Sequence, residues 1–179
     1  KPIAPTVQDV HALYQAQKRN RSWCAVGYQW LHSPTIQWLR QKLASGRLGS
    51  LQRAVSMIGW PRDRTYYQRN EWAGQITVNG RWVLDGPATN AAAHYLTNLV
   101  YVCRVACKKP PAAEIRSVQA ELYRAKPIPS YDTSCLRIRM TNGVELLHLA
   151  SHALARVHEP IMRLECEQAT ATWSAQDDK

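Results

Sequence analysis

The 179-residue chain contains no phenylalanine. Its aromatic volume comes from 7 Trp and 8 Tyr, whose rings carry a polar edge that needs a partner when buried. It has 8 glycines but no G-x-G-x-x-G sequence, so no phosphate-binding loop can be proposed from these residues. The 5 cysteines, Cys24, Cys103, Cys107, Cys135 and Cys166, are odd in number and never spaced C-x-x-C. Small buried thiols in a reducing cytoplasm are the simplest account of them. A zinc site would need better ligand spacing than His148 and His152 offer, and no metal is expected. No apolar run is long enough to span a bilayer and no signal peptide is visible, so no membrane contact and a cytoplasmic location are expected. Carboxylates are scarce: 13 Asp and Glu stand against 23 Lys and Arg, a formal net charge of +10. That surplus attracts anions such as nucleotides and phosphorylated or acidic metabolites. The charges are spread without a run of five, so a nucleic-acid footprint is not expected. A hydrophobic fraction of 45% with 20% charged residues describes a folded chain with a real core. No internal repeat or low-complexity segment is present. The chain starts at Lys1 without Met, which suggests a processed product or a fragment.

What is there has an order. Thr6 caps a first helix, with Asp9 three residues on, and Lys18, Arg19 and Arg21 close it with the charge its dipole favours. Trp23 to Tyr28 is a mostly apolar run that reads as a buried strand of a parallel sheet. Helix followed by strand reads as the last such unit of a larger α/β domain. Ser33-Pro34 opens a second helix with an apolar stripe at Ile36, Leu39 and Leu43, stopped at Gly46. Leu51 to Trp60 reads as a strand. The segment from Trp60 to Gly74 carries too many large side chains for a passive linker; it is a lid over the sheet, a wall of a cleft, or both. Asn79-Gly80 marks a hairpin. Beyond Ser117 the apolar residues alternate: Val118, Ala120 and Leu122; Leu136, Ile138 and Met140; then Val144 to Ser151, Ile161 to Glu167 and Ala171 to Trp173. Period-two alternation with tight turns means an antiparallel sheet with one face wet or half covered. The polar end at 176–179 reads as a loop cut short.

The stretch from Arg81 to Tyr101 is the centre. It turns at Asp85-Gly86-Pro87 and continues with helical character, Pro87 at the first helical position. Asn90 and His94 lie four apart, on one face of such a helix, among small and apolar neighbours. Either both are satisfied inside the core, or they point into a cleft.

The order of Lys1-Pro2, a helix, Ala25-Val26-Gly27-Tyr28, Ser33-Pro34 and a helix ending at Gly46-Arg47-Leu48-Gly49 resembles the Gfo/Idh/MocA family of oxidoreductases. Asp85 to His94 resembles that family's Gly-Gly-x-x-x-Asp-x-Gly-x-His motif. The resemblance implies an α+β fold: a large, mostly antiparallel open sheet packed with helices, preceded by the last helix and strand of a truncated Rossmann domain. Residues 1–30 would be the remnant of that dinucleotide-binding domain and 31–179 a C-terminal substrate-binding and oligomerisation domain, itself truncated. It also implies hydride transfer between NAD or NADP and a secondary alcohol of a sugar or cyclitol, in a homo-oligomer assembled through the sheet. His94 would be the base, Lys1 the cation beside the reacting oxygen, and Lys1 and Pro2 the contacts to the cofactor. Tyr28, Trp30, Tyr67 and Trp72 would line the substrate side. Asn90 stands where the family has an aspartate, and an amide cannot accept a proton; Leu31 and Ala92 depart from the pattern too. A non-catalytic sugar-binding or oligomerisation module with the same fold is the alternative.

Overall fold

The structure is a computed structural model and describes residues 1–105 and 112–176. Cys107 and residues 177–179, which figure in the sequence reading, lie outside them.

Helix α1, Val7–Asn20, is capped as its sequence predicts: Asp9 donates its N–H to Thr6 Oγ1 at 3.1 Å. It buries none of its residues. The strand expected at Trp23 to Tyr28 is not formed; the segment has no ladder partner, and Trp23 is 87% exposed. The physical reason is that a strand exists by pairing, and no parallel neighbour is present for it among the described residues. Cys24, expected to be buried there, is exposed for the same reason; Cys103 alone of the described thiols is buried.

A turn of 3-10 helix at Gln29–His32 leads to α2, Pro34–Ala44, with Ser33 accepting the Ile36 N–H at 3.2 Å. Ile36, Leu39 and Leu43 are its buried stripe, and Gly46 follows with φ 73°, the left-handed stop. Next come β1, Leu51–Gly59, and a short helix α3, Arg64–Gln68, in what the sequence reads as an irregular loop. Asp63 makes the difference: its carboxylate accepts the Tyr66 N–H at 2.9 Å and starts the turn. β2, Thr77–Val78, and β3, Arg81–Trp82, form the Asn79-Gly80 hairpin, with φ 49° and 72° at the two turn residues.

Helix α4 spans Ala93–Cys103 and so begins later than the Pro87 start expected. Residues 88–92 are turns instead. Thr89 explains this: its Oγ1 donates to Leu84 O at 2.6 Å, holding the chain in a local turn that competes with the helix.

The remaining strands are β4, Ile115–Tyr123; β5, Thr133–Met140; β6, Glu145–Ser151; β7, His158–Cys166; and β8, Thr170–Ser174. They join β1 in one six-stranded sheet of order β4-β5-β6-β1-β7-β8. Only β1 and β6 run parallel; the other pairs are antiparallel. The fold is therefore α+β with a mixed, mostly antiparallel sheet. Register sorts its faces. Ala54, Ser56, Leu146, His148, Met162 and Leu164 share the side under α2 and α4 and are all buried. Each aliphatic side chain sequestered there contributes ~1.5–3 kcal/mol. Val55, Met57, Leu147, Leu149 and Ile161 lie on the opposite, open face. Val118 and Leu122 of β4, expected inside, are 54% and 52% exposed, because every residue of this edge strand projects beyond the helices.

Candidate functional site

The chain enters the site through Leu84, which holds the left-handed conformation at φ 53°. It is clamped there: Val83 and Leu84 both donate their N–H groups to Ile76 O, and Asp85 donates to Gln75 O. Asp85 is thereby turned inward, only 6% exposed. Its Oδ2 accepts the Gly74 N–H at 2.7 Å and its Oδ1 accepts Asn90 Nδ2 at 2.7 Å. Gly86 is required next to it, since a Cβ there would strike the Tyr131 ring.

Asp85, Thr89 and Asn90 line a cleft of about 390 Å³. Lys1, Pro2 and Trp72 line it too, and His94 is not among its lining residues. The amide that stands at the position of the resembled family's aspartate is thus hydrogen-bonded to a carboxylate five residues earlier. Sequence reasoning missed Asp85, because an Asp before Gly-Pro signals a turn. Its signal was the amide itself, a donor that needs an acceptor once half-buried.

His94 is 8% exposed and lies at the start of α4. Because α4 begins only at Ala93, His94 does not share a helix face with Asn90 as expected. The Tyr28 ring meets it edge-on, 5.6 Å between centroids. Its Nδ1 is buried with no hydrogen-bond partner among the described residues. Burial, followed by the positive charge at Lys1, lowers its pKa from 6.5 to about 4. The imidazole is neutral at pH 7, with a lone pair available, and it senses the same lysine that lines the cleft. Of the four aromatic residues singled out from the sequence, Trp72 lines the cleft and Tyr28 covers His94. Trp30 packs on Trp173 at 5.7 Å, against the core. Tyr67 lines a neighbouring cavity with Ala73 and Ile128. Among the described residues no group of three His, Cys, Asp or Glu side chains could hold a metal, and no helix is long and apolar enough to cross a membrane.

No family model and no curated protein matches the chain in sequence. Solved structures match it in shape. The WlbA dehydrogenase from Bordetella pertussis, in complex with NADH and UDP-GlcNAcA, superposes with a TM-score of 0.81 at 21% identity, covering 98% of this chain and 51% of that one. An inositol dehydrogenase homolog from Azotobacter vinelandii, complexed with NAD⁺, gives 0.80 at 17% identity, covering 98% and 44%. An NAD-binding oxidoreductase from Klebsiella pneumoniae gives 0.80 at 17%, covering 99% and 47%. The chain has the fold of the C-terminal part of these dehydrogenases. It spans about half the length of each.

Proposed function

We propose that this chain is the substrate-binding half of an NAD(P)-dependent oxidoreductase acting on a secondary alcohol of a sugar or cyclitol. Residues 1–30 would belong to its dinucleotide-binding domain and 31–179 to the substrate domain. The observation that carries this reading is the convergence of Lys1, Asp85, Asn90 and Trp72 on one cleft, with the neutral His94 within reach of the lysine's charge. The neighbours in shape support it, since several were solved with NAD⁺ or NADH, among them the WlbA dehydrogenase with UDP-GlcNAcA and the inositol dehydrogenase homolog with myo-inositol.

Each residue has a role in such a reaction. The Trp72 ring suits the apolar face of a sugar. Asn90 donates one amide hydrogen to Asp85 and keeps its oxygen to orient a substrate hydroxyl. His94 takes the hydroxyl proton as the carbinol carbon loses hydride and the carbonyl forms. The Lys1 ammonium stabilises the developing alkoxide. Asp85 fixes the orientation of the Asn90 amide and places a carboxylate beside it. Lys1 and Pro2 would meet the nicotinamide of NAD or NADP, which when bound accepts the hydride. The turn that holds the cofactor phosphates would lie in the other half of the protein, since among the described residues no glycine-rich turn leads from a strand into a helix.

The test uses the full-length protein. His94→Ala should lower kcat by ~10²–10⁴-fold, the range of a lost acid–base group. An unchanged turnover would remove His94 from the mechanism; no turnover in the unsubstituted full-length protein would leave the second reading, an oligomerisation module. That reading is favoured by one observation, the apolar centre of the open sheet face at Val55, Met57, Leu149 and Ile161.

A further inference from the structure

We propose that Arg62 and Arg69, stacked on the ring of Tyr66, form with Lys126 of the same groove a binding site for a phosphate or diphosphate group carried by a small molecule. This rests on the oxidoreductase reading only in one respect: it would make the substrate of that reaction a phosphate-bearing sugar.

Two guanidinium groups share one ring. Arg62 lies 4.6 Å and Arg69 3.7 Å from the Tyr66 centroid. Each also touches a tryptophan, Arg62 the Trp60 ring at 5.7 Å and Arg69 the Trp72 ring at 5.3 Å. Stacking engages the flat face of a guanidinium and leaves its N–H edge free, the edge that grips a phosphate through two parallel hydrogen bonds. Lys126 lines the same shallow groove as both arginines, and its backbone is pinned there by a 2.7 Å bond to Asp132 Oδ2. Below them His152 is buried and bonded to Tyr67 Oη at 3.4 Å. Its pKa is lowered to about 4 by burial first; Arg62, Arg69 and Lys126 add to the lowering, and Asp132 opposes it. The imidazole is neutral at pH 7 and contributes no charge of its own.

Two carboxylates lie near this cluster, Asp63 in the groove and Asp132 beside His152, and among the described residues neither forms an ion pair with its cations. Among the described residues the ion pairs are Arg137 with Glu145 and Arg163 with Glu165, both elsewhere. Asp63 lines the groove, but its Oδ1 caps α3. The Nε of Arg62 is buried and has no hydrogen-bond partner among the described residues. The two stacked guanidinium groups repel one another and the nearby ammonium of Lys126, and an anion from outside relieves that repulsion. The position is suggestive as well. Trp72 is a wall of the Lys1 cleft and also the ring against Arg69, so one molecule could place its alcohol in the cleft and its phosphates on the arginines.

The experiment titrates inorganic pyrophosphate into the chain by calorimetry at low salt, with sulfate at matched ionic strength as the reference anion. Pyrophosphate should bind at least tenfold more tightly than sulfate. Arg62→Gln and Arg69→Gln should each weaken it about tenfold, the equivalent of ~1.4 kcal/mol, while Arg163→Gln on the open sheet face leaves it unchanged. Thermal melts show that each variant is folded. Equal affinity for the two anions, or equal loss in Arg163→Gln and Arg69→Gln, overturns the site. So does an oligonucleotide whose affinity grows with its length and exceeds that of pyrophosphate, since the surface would then serve nucleic acid. No cofactor or turnover enters the measurement, so its outcome is independent of His94→Ala. Pyrophosphate binding by a full-length protein that shows no turnover would leave the anion site and remove the oxidoreductase.

Discussion

Leu84 is the residue on which the site turns. A leucine at φ 53° costs ~1–3 kcal/mol, and such strain gathers where a neighbour has a task. Here the neighbour is Asp85, turned from the solvent to face Gly74 and Asn90. Gly86 beside it has no tolerance: Gly86→Ala should destabilise the protein by ~1–3 kcal/mol through overpacking against Tyr131, read as a lower urea midpoint. His148 makes the sharper prediction. It is fully buried in the sheet, and burial lowers its pKa from 6.5 to about 4. A depressed histidine contributes stability above its unfolded pKa of 6.5, and that contribution is lost as pH falls toward 4. Stability should therefore drop on acidification between pH 6.5 and 4, by up to ~1.4 kcal/mol per pH unit for this residue. His94 and His152, lowered to about 4 as well, act in the same direction. Urea midpoints at several pH values should show a shallower slope in His148→Gln; the same slope in both proteins would mean that His148 is not held neutral.

Helices α1 and α2 are a matched pair for the element scale. Both open with a side-chain cap that the sequence announces, Thr6 and Ser33. Only α2 buries a face, at Ile36, Leu39 and Leu43. Most of a helix's stability in a protein comes from such a face. Ser33→Ala should then cost ~1 kcal/mol of global stability, seen as a lower Tm. Thr6→Ala should reduce helicity by circular dichroism and leave the Tm where it was, because α1 is not coupled to the core of this chain. An equal drop in Tm for both would mean that α1 packs against the body of the sheet and helices after all.

At the scale of the whole molecule, the sheet has one face under α2 and α4 and one face bare. Val55, Met57, Leu147, Leu149 and Ile161 make its bare centre, with Arg137–Glu145 and Arg163–Glu165 beside them. An apolar centre with a charged rim is the anatomy of a protein interface. The proposed occupant is a second copy of the chain. Met57→Glu would bury a charge without a partner, so sedimentation should find the variant monomeric at concentrations where the parent chain is an oligomer. A parent chain that is already monomeric would refute this arrangement.

Much of this was legible in the order of residues, because it depends on neighbours. The caps at Thr6 and Ser33, the stop at Gly46, the Asn79-Gly80 hairpin and the alternation of β5 and β6 are local chemistry and local periodicity. The α+β class followed from them, and so did the prominence of Asn90 and His94. What distance along the chain conceals was decided by the tertiary structure. Trp23 to Tyr28 has the composition of a strand and no strand to pair with. Asn90 reads as a helical residue until Thr89 and Asp85 claim the turn before α4. The carboxylate beside Asn90, the lysine beyond it and the arginines around Tyr66 come together only when the sheet, the hairpin and the first residues fold onto one another. Hydrogen bonds and charges act through space, whereas a sequence records only adjacency.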